Sequence, residues 1–272
     1  MFDRIIIGSN SDPKYMGFWK IQILAHRAFF PQTTLTFAFL NDDPFLDQRG
    51  IRSLMFEYGV DVFFYDPSEI PAPHANQAKL LRYYCAAQFP DDVSVVCDMD
   101  TIPLTSGYLD EVYIHQVNGR LLCVGREVYD GVHDGKFPAH HMAGEGYMFQ
   151  LLYNTRGRTF ADVVEQHAGM REFDHKEDVR NNPNSFSDES LTKALIKKHG
   201  VATRHIEREI DIHTEWIDRA WWDKVDFAHL NNHGYVEANL ARPFVATDPV
   251  VVEIIKYIES QNPELKYEEI GQ

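Results

Sequence analysis

Two aspartates one residue apart, Asp98 and Asp100, follow the apolar run Val93-Ser94-Val95-Val96-Cys97. In an extended segment residues i and i+2 point the same way, so both carboxylates can face one hard cation. Mg²⁺ or Mn²⁺ takes oxygen ligands and is typically held by one or two carboxylates together with substrate phosphates. The run ahead of them reads as a strand buried on both faces. Strand ends are where open α/β sheets bind ligands. The plain alternative is a polar turn ahead of Pro103. A second acidic pair, Asp188 and Glu189, opens a stretch whose Leu191, Ala194 and Leu195 share one helical face. Acids in a first helical turn complement the helix dipole, and a carboxylate so placed can also take a proton as a general base. Lys79 and Arg82 stand i, i+3 on another helix face, where they either meet solvent or pair with a diphosphate. Asn10 and Asp12 lie in the polar loop after the first strand, within reach of a base or ribose.

The elements that must position these groups alternate along the chain. Residues 5–7 form a short buried strand ending at Gly8, followed by a polar loop over 9–14. Residues 15–29 read as a helix stopped by Pro31, 33–40 as a strand, 51–58 as a short helix ending at Gly59, and 60–65 as a third strand. This β-α-β-α-β start is the rhythm of a nucleotide-binding sheet. Residues 74–88 form the helix that carries Lys79 and Arg82, and Leu121–Val124 is another strand. The Gly- and His-rich stretch 125–146 reads as a long loop holding Arg126, Asp130, His133, Asp134, His140 and His141. Loops of this length are often lids, and closure over a ligand is expected. A zinc site from His133, His140 and His141 lacks standard ligand spacing. Residues 147–152 resume as strand, 188–198 form a helix, and Asp248 caps a last helix with Pro249 at its first position.

Among the 272 residues, 41 acids oppose 26 bases, a formal net charge of −15. Such a surface excludes a nucleic-acid polymer and a polybasic membrane anchor, though not a single nucleotide diphosphate. Cys85, Cys97 and Cys123 read as reduced core thiols, which points to the cytoplasm. The first residues carry an apolar run of only three, too short for a signal peptide, and no stretch approaches the roughly 20 apolar residues of a membrane span. With no linker to divide it, the chain reads as one domain over 1–246 with a helical extension, 247–272, packed on it. The oligomeric state stays open.

The segment Val95-Val96-Cys97-Asp98-Met99-Asp100-Thr101-Ile102-Pro103-Leu104 resembles the D-x-D segment of GT-A glycosyltransferases. The resemblance implies an α/β/α sandwich around a mostly parallel, Rossmann-like sheet. Residues 5–10, with Gly8 and Asn10, resemble that family's first strand and nucleotide-binding loop, and the helix with Lys79 and Arg82 resembles the one whose basic residue reaches the donor. Ala143-Gly144-Glu145-Gly146-Tyr147-Met148-Phe149 is similar to the N-A/S-G-x-x-x-F segment, with Met142 or Ala143 in place of Asn. Phe186-Ser187-Asp188-Glu189-Ser190-Leu191 resembles the D-Q-D-x-L-N step of glycosyltransferase family eight, with Glu189 for Gln and Ser190 for the second Asp. Val225-Asp226-Phe227-Ala228-His229-Leu230 resembles the late strand ending in a metal-binding His, without the Lys-Pro-Trp that follows in family eight. The broad GT-A group therefore matches better than that one family.

The resemblance implies a metal-dependent transferase using Mn²⁺ or Mg²⁺. It would move a sugar from a nucleotide-sugar donor, most simply UDP-linked, to a hydroxyl on a glycan, a lipid-linked saccharide or a protein. Asp100 would bind the metal, Asp98 the metal or the ribose, and His229 would be the third ligand with His233 in reserve. Gly8, Asn10, Asp12, Lys79, Arg82, Asp98, Met99 and Asp100 would form the donor site, and Asp188 and Glu189 the catalytic acids. Location would be cytoplasmic or peripheral to a membrane bearing the acceptor. Trp216, Trp221 and Trp222 would pack in the core or stack on an acceptor sugar. Two other readings compete. One is a haloacid-dehalogenase-type phosphatase with Asp98 as nucleophile, for which Ile102 stands where Thr or Val is wanted and the motif sits far into the chain. The other is a non-catalytic GT-A-like domain binding sugars or proteins.

Overall fold

The computed structural model describes residues 1–69, 74–116, 118–125, 141–168, 188–207 and 215–271. Strands β1 (Arg4–Ser9), β2 (Thr34–Leu40), β3 (Asp61–Tyr65), β4 (Val93–Cys97), β6 (Leu121–Val124), β7 (His141–Glu145) and β8 (Thr203–Ile206) form a seven-stranded sheet in the order β3-β2-β1-β4-β7-β6-β8. Only β7 runs against its neighbours. A second sheet of three strands follows the order β5-β10-β9, from β5 (Thr101–Pro103), β9 (Glu215–Asp218) and β10 (Tyr235–Asn239).

Strict alternation in the apolar strands makes two cores from one sheet. Ile5, Ile7, Leu35, Phe37, Val95 and Cys97 face one side, while Ile6, Ala38, Val96 and Met142 face the other. Helices α2 (Trp19–Phe29) and the C-terminal Pro249–Gln261 close the first side with Ile21, Leu24, Ile254 and Ile258. On the opposite side α4 (His74–Ala87), α6 (Gly146–Tyr153) and α8 (Asp188–His199) contribute Leu81, Phe149 and Leu191. The remaining helices are α1 (Pro13–Met16), α3 (Gln48–Glu57), α5 (Gly107–Ile114), α7 (Phe160–Ala168) and α9 (Phe227–Asn231), so the C-terminal helix is α10. The result is an α/β/α sandwich around a mostly parallel sheet. The three cysteines are buried free thiols.

Three expected elements differ. Residues 147–152 are not a strand but most of α6, with Met148, Phe149 and Leu152 buried on one face and Leu151 exposed. A short apolar run carries no decisive period, and here the strand is the segment just before it, β7. Residues 225–230 do not form a strand ending in His229: the Asp226 carboxylate accepts hydrogen bonds from the Ala228 and His229 amides and starts α9 there. The helix expected over 15–29 is two elements: a short turn, α1 (Pro13–Met16), capped by Asp12 through the Lys14 amide, and α2 from Trp19. The loop positions Arg126, Asp130, His133, Asp134 and His140, and the segment 181–187 ahead of Asp188, lie outside the described residues.

Candidate active site

Asp98 and Asp100 occupy the link between β4 and β5, at the C-terminal end of a strand in the middle of the sheet. From inside, the Gln22 amide of α2 donates to the Met99 carbonyl at 2.9 Å and the Thr101 carbonyl at 3.0 Å, fixing the link. On the far side the Leu240 amide donates to the Asp100 carbonyl at 2.8 Å, tying the link to the end of β10. A cavity of about 280 Å³ opens over it, lined among others by Gly8, Asn10, Lys79, Arg82, Asp98, Met99, Asp100, Asp188 and Glu189. Nine of the residues expected from the sequence thus meet at one cavity. Asp12, spent on capping α1, does not line it.

Arg82 is the hub. Its guanidinium is 3% exposed, bonds the Asp98 carboxylate, and reaches Asp188 at 2.8 Å and the Tyr83 hydroxyl at 3.0 Å. Lys79, one turn earlier on α4, lies 3.5 Å from the other Asp188 oxygen and keeps half its side chain in solvent. Gly8 allows this closeness, because a Cβ there would stand 2.5 Å from the Ala78 carbonyl and 3.2 Å from the Arg82 Cβ. Without a side chain at that strand end, α4 can lie against β1 and aim Arg82 at both acids.

Asp100 has different partners. Its Oδ2 receives Arg219 Nη1 at 2.7 Å and Arg242 Nε at 2.8 Å, and Arg242 Nη1 donates to the Tyr15 hydroxyl at 2.7 Å. Burial raises the Asp98 carboxyl, but Arg82 and Lys79 outweigh it and hold the group below the usual carboxylate range. For Asp100, burial and the Asp98 charge prevail over Arg242 and Arg219, and the group sits above that range. Two neighbouring carboxylates are thus pushed to opposite sides of the ordinary range, a pattern that also occurs at functional sites. Asp188 is the main cause of a raised Lys79 ammonium, against the opposing effect of burial.

The histidines expected as a third metal ligand are not brought to the cavity. His229 sits on α9 with Nε2 3.1 Å from Glu215, and His233 Nδ1 lies 2.7 Å from the Tyr257 hydroxyl. The cause is the Asp226 cap, which turns the expected strand into a helix. Among the described residues no group of three or more His, Cys, Asp or Glu could hold a metal ion. Among the described residues the donor set does not fit a cation caged by three protein ligands; a hard divalent cation would have the Asp98 and Asp100 carboxylates and would need phosphates and water to complete its shell. His141 joins no zinc cluster among the described residues; it pairs with Glu237 at 3.5 Å behind the link.

Sequence reading missed the wall built by β9 and β10, which gives the cavity Asp218, Arg219, Glu237, Asn239 and Arg242. Of the tryptophans, Trp216 lines the cavity, Trp222 donates to Asp248 at 3.0 Å, and Trp221 is exposed beside Lys224.

No protein-family model and no curated protein sequence matches the chain. Solved structures do. The apo form of the glycosyltransferase GlyE from Streptococcus pneumoniae TIGR4 matches with a TM-score of 0.58 at 11% identity, over 100% of this chain. The chain spans 62% of that structure's length. The galactosyltransferase LgtC, in complex with donor and acceptor sugar analogues, matches with a TM-score of 0.51 at 12% identity, over 94% of this chain and 95% of its own. The fold is thus the one these glycosyltransferases share, the GT-A fold.

Proposed function

We propose that this chain is a metal-dependent glycosyltransferase that moves a sugar from a nucleotide-sugar donor, most simply a UDP-sugar, to a hydroxyl of a glycan, lipid-linked saccharide or protein. One observation carries the reading: in a GT-A fold, the D-x-D pair at the end of β4 shares a cavity with Lys79, Arg82, Asp188 and Glu189. Fold alone does not define function, so the weight rests on these side chains.

Asp98 and Asp100 would hold Mg²⁺ or Mn²⁺. When bound there, the cation supplies the charge that offsets the departing diphosphate. The charge of the lining supports this need. Six acids (Asp98, Asp100, Asp188, Glu189, Asp218, Glu237) face four cations (Lys79, Arg82, Arg219, Arg242), so a diphosphate would enter an already negative cavity. Arg82 is enclosed, its two Nη atoms bond Asp98, Asp188 and Tyr83, and it acts by positioning the two acids. Lys79, half exposed, is free to turn toward the donor phosphates. Both oxygens of Asp188 carry cationic partners, which suits it to orienting the sugar rather than taking a proton. Glu189, the next residue on α8, then becomes the carboxylate facing the reacting centre. No helix among the described residues is long and apolar enough to cross a membrane, and the buried free thiols agree with a cytoplasmic site of action.

The test is a thermal-shift series of UDP, GDP and their common sugar conjugates, with and without MnCl₂. A donor that binds the native state raises its melting temperature. A metal-dependent rise for one nucleotide class, lost in Asp100→Asn, is expected. Absence of a shift with every nucleotide in MnCl₂ would overturn the assignment.

A further inference from the structure

Arg219 and Arg242 do not belong to the expected site, yet both end on one oxygen of Asp100. Strand register explains how. β10 pairs with β5 through Asn239 opposite Thr101, and with β9 through Asn239 opposite Asp218. The residue after Asp218 is Arg219, the residue before Thr101 is Asp100, and Arg242 follows β10 by three positions. The small sheet therefore converges two guanidinium groups on the second aspartate of the D-x-D pair.

Exposure separates these arginines from Arg82, and two further features bear on what they can do. Asp100 is 5% exposed, so the two guanidinium groups cover it, whereas their own side chains are 40% and 32% exposed. Arg82, by contrast, is enclosed, and its two Nη atoms bond two acids and a hydroxyl. Both rim arginines place a positive charge on the carboxylate that would also serve a divalent cation. Finally, Arg242 has a second anchor, the Tyr15 hydroxyl, and Tyr15 itself lines the cavity. An arginine so tethered can leave a carboxylate without leaving the cavity wall.

We propose that Arg219 and Arg242 are an exchangeable clasp that couples divalent-cation binding to nucleotide-diphosphate binding. This rests on the glycosyltransferase reading above. Paired with Asp100, the clasp neutralises it and competes with a cation for it. A diphosphate offers the guanidinium groups a replacement acceptor of matching geometry, since guanidinium bonds phosphate oxygens in pairs. As the arginines turn to the phosphates, Asp100 is uncovered. Diphosphate thereby strengthens cation binding, and by reciprocity the cation strengthens diphosphate binding by the same factor. The clasp residues would bind the donor diphosphate and take no part in moving a proton.

Isothermal titration of the full chain decides the matter, with MnCl₂ alone, UDP alone, and MnCl₂ at saturating UDP. The wild type is expected to bind Mn²⁺ weakly alone and about tenfold more tightly with UDP, within the usual range of coupling. Arg219→Gln and Arg242→Gln should each bind Mn²⁺ alone more tightly, because a competitor is gone, and UDP alone more weakly. Their coupling factor should fall below the wild-type value, leaving the part that comes from direct contact of cation and phosphate. The opposite signs for the two ligands separate a clasp from general damage, and the matching Lys variants, which keep the charge, should retain part of the coupling. Melting curves establish that each variant is folded. A variant that binds Mn²⁺ alone no better than the wild type, with coupling unchanged, overturns the clasp while leaving the enzyme assignment intact. A wild type that binds no UDP even with MnCl₂ overturns the assignment itself, and the clasp with it.

Discussion

Replacing Arg82 by Leu tests whether the buried ion cluster is held by one residue. Arg82 is 3% exposed and bonds Asp98, Asp188 and the Tyr83 hydroxyl. Asp98 keeps 37% of its side chain exposed, so water can replace part of its lost partner. Asp188 is 5% exposed and, among the cations of the described residues, would retain Lys79, at 3.5 Å and itself half in solvent. Removing one partner of a buried pair strands the other charge and costs about 3–5 kcal/mol. Leu fills much of the aliphatic volume, so the loss is assigned to the Asp188 charge and not to a cavity. The double variant Arg82→Leu/Asp188→Leu should recover most of the loss, since an apolar pair of similar volume is often neutral against a buried ion pair. Urea unfolding followed by far-UV circular dichroism reads both, with the slope compared between variants to secure a common unfolded state. The argument fails if Arg82→Leu loses less than about 1 kcal/mol, the range of an ordinary exposed pair. It fails equally if the double variant is no more stable than the single.

Three further outcomes follow from the same geometry. Gly8→Ala places a Cβ 2.5 Å from the Ala78 carbonyl, so α4 must retreat; overpacking of this kind costs about 1–3 kcal/mol, and a melting temperature equal to wild type would contradict the close approach. Asp248→Ala removes the acceptor for the Val250 amide at 2.9 Å and for Trp222 at 3.0 Å; a lost helix cap costs about 0.5–2 kcal/mol, measurable as a lower urea midpoint. Burial lowers His26 to about 3 and His167 to about 4, from an ordinary value of 6.5. Both stay neutral in the fold at pH 5 while the unfolded chain protonates them. Stability therefore falls with pH from about 6.5 downward, by about 2 kcal/mol per histidine at pH 5. His26→Phe should remove roughly half of that loss between pH 7.5 and 5, and an unchanged pH dependence would refute it.

The parallel half of the sheet is legible because its strands are buried on both faces and so spell continuous apolar runs, as residues 5–7 and Val93–Cys97 do. Legibility fails where an apolar run is short and carries no decisive period. Residues 147–152 bury Met148, Phe149 and Leu152 at helical spacing, yet the same letters suit a strand. It fails again where one side chain decides a backbone. Asp226 accepting two amides converts an expected strand into α9 and carries His229 away from the aspartates, to pair with Glu215.

For the site, the dividing line is sequence distance. Asp98 and Asp100 announce themselves, because two acids after a buried strand have no business in a core. Lys79, Arg82, Asp188 and Glu189 are recognisable because each stands on an element whose start and face are written nearby. Arg219 lies 119 residues from the carboxylate it binds, and nothing around it in the chain singles it out. Its role exists only through the pairing of β10 with both β5 and β9, which no local pattern encodes. The consequence is chemical as well as topological. Read from the sequence, the D-x-D pair is a bare acidic site awaiting a cation; in the fold, Asp100 already holds two guanidinium groups and Asp98 a third. On the clasp proposal a cation competes for Asp100 with the rim arginines, and whatever draws those arginines off sets how tightly it binds.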